Sequence, residues 1–208
     1  MPVLAFDALA WHGAPMPGSN GPVELARLPQ LDDQAFRAFV RFPAGWARPG
    51  AGHYAVAEEF LILAGDLSLN GITWKSGGYA WIPARRVRTG SSSAGGCLAF
   101  AWFGGAPRWV AGAAATPALD TGVHFAHWRA APETGPGMHL LRAGPEHSTW
   151  IVEAQPAVLP EAAQEALCLQ DQAWSWREPA DCATHIAGTL MVRQRPAFAA
   201  EPRQQVPG

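Results

Sequence analysis

The sequence predicts an all-β chain, and three observations carry that expectation. Gly and Pro are abundant, 22 and 19 of 208 residues, and are spread between apolar runs, which suits short strands joined by tight turns. Residues 36–42 alternate, with Phe36, Ala38, Val40 and Phe42 on one face and Arg37, Phe39 and Arg41 on the other. Leu67 to Leu69 and Ile72 to Trp74 flank Asn70-Gly71, the strongest short-range hairpin signal that a sequence offers.

Composition bounds the rest. At 49% hydrophobic and 15% charged residues the chain can bury a sizeable core, as one large β domain or two small ones. Its net charge of −2, with scattered basic residues, argues against a nucleic-acid or membrane partner. No basic stretch leads into an apolar run at the N-terminus, and no run approaches the ~20 apolar residues of a membrane helix. The three cysteines, Cys97, Cys168 and Cys182, form no CxxC pair and read as buried free thiols. A cytoplasmic location is the expectation.

Taken in order, residues 4–11 predict an opening strand and 13–22 a Gly/Pro-rich connection. Val23 to Leu28 alternates loosely, and 31–34 reads as a turn. Pro43-Ala44-Gly45 turns the chain after the strand at 36–42. Glu58 to Leu63 predicts a strand, and Gly65-Asp66 starts a turn into the Asn-Gly hairpin. Tyr79 to Ile82 is a strand broken by Pro83, and 85–89 is a candidate for another. Residues 91–96 read as a polar turn, and Cys97 to Phe103 closes the first half. The stretch 104–120 is low in complexity and reads as a linker or crossing segment.

The second half echoes the first. Residues 124–128 parallel 6–11, 148–153 parallel 36–41, 173–179 parallel 78–83, and 188–192 parallel 96–101. Such self-similarity predicts a duplicated domain. The expected boundaries are a first barrel at 1–107, a linker at 108–120 and a shortened, degenerate copy at 121–208. Residues 159–166 lack histidine and have helical propensity, with Pro160 acceptable at a first helical position.

The stretch from Gly45 to Ser92 carries two spaced patterns. Gly45 is followed by five residues, then Ala51-Gly52-His53, four residues, Glu58, six residues and Gly65. Gly77 is followed by five residues, then Pro83-Ala84-Arg85, two residues, Arg88, three residues and Ser92. These resemble the two signature motifs of the cupin superfamily, and the strand pattern around Val40 to Trp46 is similar to that of small bacterial two-barrel cupins. The resemblance implies an RmlC-like, cupin-type jelly-roll β-barrel, here a bicupin. It also implies the metal site of the family, one divalent transition metal held by three His and one Glu. At the matching positions this chain keeps His53 and Glu58, while Ala51 and Arg88 replace two histidines and Arg85 replaces a glycine.

The expected site follows from those substitutions. Arg88 would repel a cation where a ligand used to be, and would pair with a buried Glu58 instead. The resulting pocket has His53 as general base, Arg88 as anion anchor and Glu58 as orienter, lined by Tyr79, Trp81, Phe60 and Trp46. The plainer reading of Arg85, Arg86 and Arg88 is a solvated basic edge. No cofactor is expected; the alternative is one divalent metal on His53 and Glu58. The leading functional expectation is binding of, or catalysis on, a small organic anion without a tightly held metal. The alternatives are a metal-dependent, dioxygenase-like enzyme and a non-enzymatic sensor or interaction domain. A small-molecule ligand is the expected partner, with a monomer or homodimer as the assembly.

Overall fold

The structure is a computed structural model that describes residues 3–4, 6–29, 35–113, 124–127, 133–135, 137–145, 147–157, 163–168, 174–176 and 186–194. Strands β1 to β6 span Val3–Leu4, His12–Ala14, Val23–Arg27, Phe36–Phe42, Trp46–Arg48 and Gly52–Tyr54. Strands β7 to β12 span Glu58–Leu69, Ile72–Lys75, Gly78–Ile82, Ser91–Ser93, Cys97–Phe103 and Trp109–Ala111. Strands β13 to β19 span His124–His127, Glu133–Gly135, Met138–Arg142, Ser148–Ala157, Ala163–Cys168, Trp174–Trp176 and Ile186–Gln194. The other described element is a single 3₁₀ turn at Phe6–Ala8. The chain is all-β, with the cupin-type jelly-roll fold.

Two compact units divide the chain: Asp7–Ala131, and Met1–Phe6 together with Pro132–Gly208. The sheet of the first runs β13-β9-β7-β11-β4-β3-β2, with β8 and β10 also on β7 and β5 on β10. The sheet of the second runs β1-β18-β17-β19-β16-β15-β14. Pairing thus differs from the expected boundaries at both ends. Val3–Leu4 joins β18, and His124–His127 joins β9. The helical propensity read over 159–166 does not prevail at Ala163 to Ala166, where β17 lies between β18 and β19; 159–162 fall outside the described residues. Neighbouring strands supply backbone partners that a local helix preference of a few tenths of a kcal/mol per residue cannot offset. The expected turn at 31–34 and linker residues 114–120 also fall outside them.

The Asn70-Gly71 hairpin forms as the sequence predicts. Leu69 faces Ile72, and the turn residues have φ of 52° and 78°, as a type I′ turn requires. The turn expected at Gly65-Asp66 does not form; β7 runs unbroken for 12 residues. A bulge in β7 at Leu63, opposite the Leu98–Ala99 step of β11, absorbs the irregularity beside Gly65. Ser91–Ser93 is likewise a strand, paired with β5 across Ser92↔Ala47.

The core of the Asp7–Ala131 unit follows the alternation of the central strands. Ala38 and Val40 of β4, Phe60 and Ile62 of β7, Ala80 and Ile82 of β9, and Ala99, Ala101 and Phe103 of β11 pack into one cluster. The opposite face of the same strands is also buried: Phe39, Leu61, Tyr79 and Phe100, with Arg37 and Glu59. A sheet buried on both faces needs apolar residues in both alternation registers, which is why Phe39 breaks the polar side of the 36–42 pattern.

Cys97 sits in this core, and burial pushes its thiol up to about 12, with Asp66 adding to the effect. An unfolded thiol ionises near 9, so this group's contribution to stability is intact below pH 9 and is lost as pH rises toward 12. Iodoacetamide at pH 8 is therefore expected to label Cys97 slowly in the native chain and rapidly in urea, read by peptide mass spectrometry. Equal labelling in both would show an accessible thiolate.

Candidate functional site

The site is built from β5, β6, β7 and the segment around Arg88. Arg88 is not in a named strand but bridges Gly52 in both directions, its N–H donating to the Gly52 carbonyl at 2.7 Å and its own carbonyl accepting at 3.1 Å. Residues paired in this way project to one side. The face of β6 that carries Gly52 therefore also carries Tyr54 and meets the Arg88 side chain. Gly52 is required there, because a Cβ would overlap the Trp109 indole.

Arg88 and Glu58 form a buried ion pair, Nη1 donating to Oε2. They are 4% and 8% exposed, which removes the solvated-edge reading for Arg88 while leaving it for the exposed Arg85 and Arg86. The Arg88 guanidinium carbon lies 4.7 Å from the Tyr54 ring centroid. Tyr54 also meets Phe103 and Trp109 edge-on, at 5.0 and 5.2 Å.

A second arginine completes the group. Arg48 of β5 is 4% exposed, and its guanidinium carbon lies 3.6 Å above the Trp109 ring and 5.7 Å from that of Tyr54. Its Nη1 donates to the Tyr54 hydroxyl at 3.4 Å. Stacking of a desolvated guanidinium on an indole is worth about 2 kcal/mol, less than the several kcal/mol that burying a charge costs. No carboxylate pairs with Arg48 among the described residues, and its Nε–H is buried without an acceptor, as is that of Arg88.

An apolar cavity of about 400 Å³ lies beside this group. Leu25, Phe36, Val40, Phe42, Phe60 and Phe103 form much of its wall, with Tyr54 and Glu58 as its buried polar members and Arg108 at its exposed edge. A smaller space of about 40 Å³ is lined by Arg48, Arg88, Ser68, Ser91 and Trp46. The two share Met16, Phe42, Tyr54, Glu58, Phe60 and Leu67 as walls, so the smaller space, which carries both arginines, adjoins the apolar chamber as an annex.

The expected site residues are only partly brought together. Glu58, Arg88, Phe60 and Trp46 line the chamber or its annex. Tyr79 and Trp81 do not: they pair with Leu61 and Glu59, on the sheet face opposite Glu58 and Phe60. There the Tyr79 hydroxyl donates to Glu59 Oε1 at 2.8 Å, and Glu59 is 0% exposed. His53 is buried but absent from both linings, because strand alternation turns it away from the face that carries Tyr54. The general-base role expected for it has no geometric support. Sequence reasoning missed Tyr54 and Arg48. The signal for Tyr54 was present: the family allows three or four residues before the glutamate, and three select Gly52 and Tyr54 as the inward pair.

The divalent metal that the fold family implies does not fit these residues. The position of its last histidine holds a guanidinium that occupies Glu58, and the inward residues of β6 are Gly52 and Tyr54. Among the described residues no group of three His, Cys, Asp or Glu side chains could hold a metal ion.

Arg85 adds a backbone observation. It has φ of 63°, the left-handed conformation that the glycine of the second motif would adopt freely, and its N–H donates to the Tyr54 carbonyl at 2.8 Å. Arg85→Gly is expected to raise stability by about 0.5 to 1 kcal/mol, since relief of ~1–2 kcal/mol of strain exceeds the added flexibility of the unfolded chain. A urea midpoint that falls would show that the arginine side chain contributes more than its strain.

Comparison with known proteins supports the fold. No protein-family model matches the chain, and no curated protein matches it in sequence. Among solved structures, that of a putative dioxygenase from Nostoc punctiforme superposes with a TM-score of 0.68 at 14% identity, over 93% of this chain and 78% of the other. That of the protein Ylba from E. coli superposes with a TM-score of 0.57 at 14% identity, over 93% and 82%. An RmlC-like cupin protein from Ralstonia eutropha is similar over 60% of this chain and 79% of its own, with a TM-score of 0.42 at 14% identity. At such identities the likeness concerns the fold alone, a cupin-type jelly roll. Among the described residues no helix is long and apolar enough to cross a membrane.

Proposed function

We propose that this chain is a small-molecule-binding cupin whose ligand occupies the apolar chamber, with the Glu58–Arg88 pair standing where relatives hold a metal. The chamber is the observation that carries this reading: its volume of about 400 Å³ lies within the ~300–1,000 Å³ typical of ligand sites, and its wall is apolar with few polar groups. Catalysis of proton transfer would need a base in the chamber. Among the described residues Glu58 is the one carboxylate on its wall, and its oxygen is committed to Arg88. Binding is therefore the reading the residues support best.

Elemental analysis of untagged protein, purified without chelator and then incubated with iron, manganese, nickel, copper or zinc, tests the metal-free part. The expected result is well under one equivalent of every ion. One equivalent per chain, lost in Glu58→Gln, would overturn the reading in favour of a metal-dependent enzyme. We also infer that the two units are copies of one ancestral barrel. The supporting observation is that β9-β7-β11-β4-β3-β2 and β18-β17-β19-β16-β15-β14 follow corresponding chain orders, each extended by one further strand, β13 on β9 and β1 on β18.

A further inference from the structure

The annex holds a charge imbalance that the ion pair leaves over. Two guanidiniums, Arg48 and Arg88, face one carboxylate, Glu58, on its described walls. Arg88 is neutralised by Glu58, whereas Arg48 has an aromatic ring and a neutral hydroxyl as its partners. Its Nε–H is buried and unused, so a desolvated donor and a desolvated positive charge coincide at one side chain. An anion in the annex, which Arg48 lines, would supply the missing countercharge.

Size narrows the acceptor. The annex offers about 40 Å³, room for a carboxylate, while a phosphate monoester brings three oxygens and up to two charges to a single uncommitted cation. The adjoining chamber sets the rest of the molecule. An apolar cavity of about 150 Å³ holds a benzene ring, so about 400 Å³ takes a body of roughly a dozen or more heavy atoms. We propose that the ligand is a hydrophobic monocarboxylate, its carboxylate held in the annex by Arg48 and its alkyl or aryl body in the chamber. This rests on the chamber being a ligand site, and moves the anion anchor expected at Arg88 to Arg48.

The test compares 4-phenylbutanoate with the uncharged 4-phenylbutanamide by calorimetric titration of the full chain. On the unmodified protein the acid is expected to bind at least about tenfold more tightly than the amide, the scale of one charge-assisted hydrogen bond. Arg48→Met keeps an unbranched apolar stem without the guanidinium and is expected to abolish that preference while amide binding survives. Arg48→Lys keeps the charge without Nε or the planar fork and is expected to retain part of it; it carries the comparison if Arg48→Met does not fold by circular dichroism. Arg108→Gln removes the cation at the chamber's exposed edge and tests whether the head group is held at the rim instead. Equal binding of acid and amide to the unmodified chain overturns the carboxylate subsite and leaves the chamber reading standing. A preference lost in Arg108→Gln and kept in the Arg48 variants places the head group at the rim and also overturns it. Binding of neither compound overturns the chamber reading, and the subsite with it.

Discussion

Glu58→Gln is expected to lower the stability of the chain by about 3–5 kcal/mol, because it leaves Arg88 buried with its charge uncompensated. The neutral amide can still accept one hydrogen bond, but it supplies no charge to a guanidinium that is 4% exposed. At the size of this unit the loss corresponds to a fall in Tm of roughly 10–20 °C. The double substitution of Glu58 to Gln and Arg88 to Met is expected to recover most of that loss, since removing both charges also removes the desolvation each one incurs. The asymmetry between single and double variants is the signature of a buried pair, and calorimetric melting reads it directly. A single variant that melts within about 2 °C of the parent would show that water reaches Arg88 and that the pair is not the closed centre described above.

Gly65→Ala is the second large effect. Gly65 has φ of 75°, where an L side chain costs ~1–2 kcal/mol, and its Cβ would overlap the Gly96 carbonyl oxygen. The obstruction is backbone of the adjacent strand, so β7 and β11 must separate locally to relieve it. The expected loss is about 3 kcal/mol or more, adding strain to overpacking. Gly71→Ala is the matched control. Its φ is similar, 78°, but no atom lies within 4 Å of the added Cβ, so only the conformational strain of ~1 kcal/mol is expected. Urea denaturation of the two variants separates strain from collision. Equal losses would show that β7 and β11 part without cost at this point.

The difference between those two glycines shows what a sequence pattern can carry. Gly65 is required by the six-residue spacing from Glu58, yet its spacing says nothing of the strand that presses on it. That strand, Cys97 to Phe103, lies about 30 residues away in the chain. The same limit governs the site. That Glu58 faces inward with Phe60 followed from local alternation, and the expectation that Arg88 pairs with it came from the resemblance of the two motifs together with charge. The histidine went astray because β6 is three residues long, too short for alternation to declare its own face. Its orientation is fixed by the Gly52–Arg88 bridge, a contact across 36 positions. Arg48 was invisible for a related reason: an arginine in Trp46-Ala47-Arg48 reads as any solvated cation until Trp109 and Tyr54 close over it.

What the sequence determined by itself is therefore local. Period-two alternation and the Asn-Gly turn specify an all-β chain, because each depends on neighbours a few positions away, whereas the Glu58–Arg88 centre spans 30 positions and was legible only through the resemblance of the two spaced motifs. The tertiary structure alone decided which face each short strand buries, that β13 and β1 complete the two sheets, and that the outer-face Glu59 is enclosed as fully as Glu58. Those outcomes rest on pairings between segments far apart in the chain, where a one-residue change of register exchanges inside for outside and leaves the local pattern untouched.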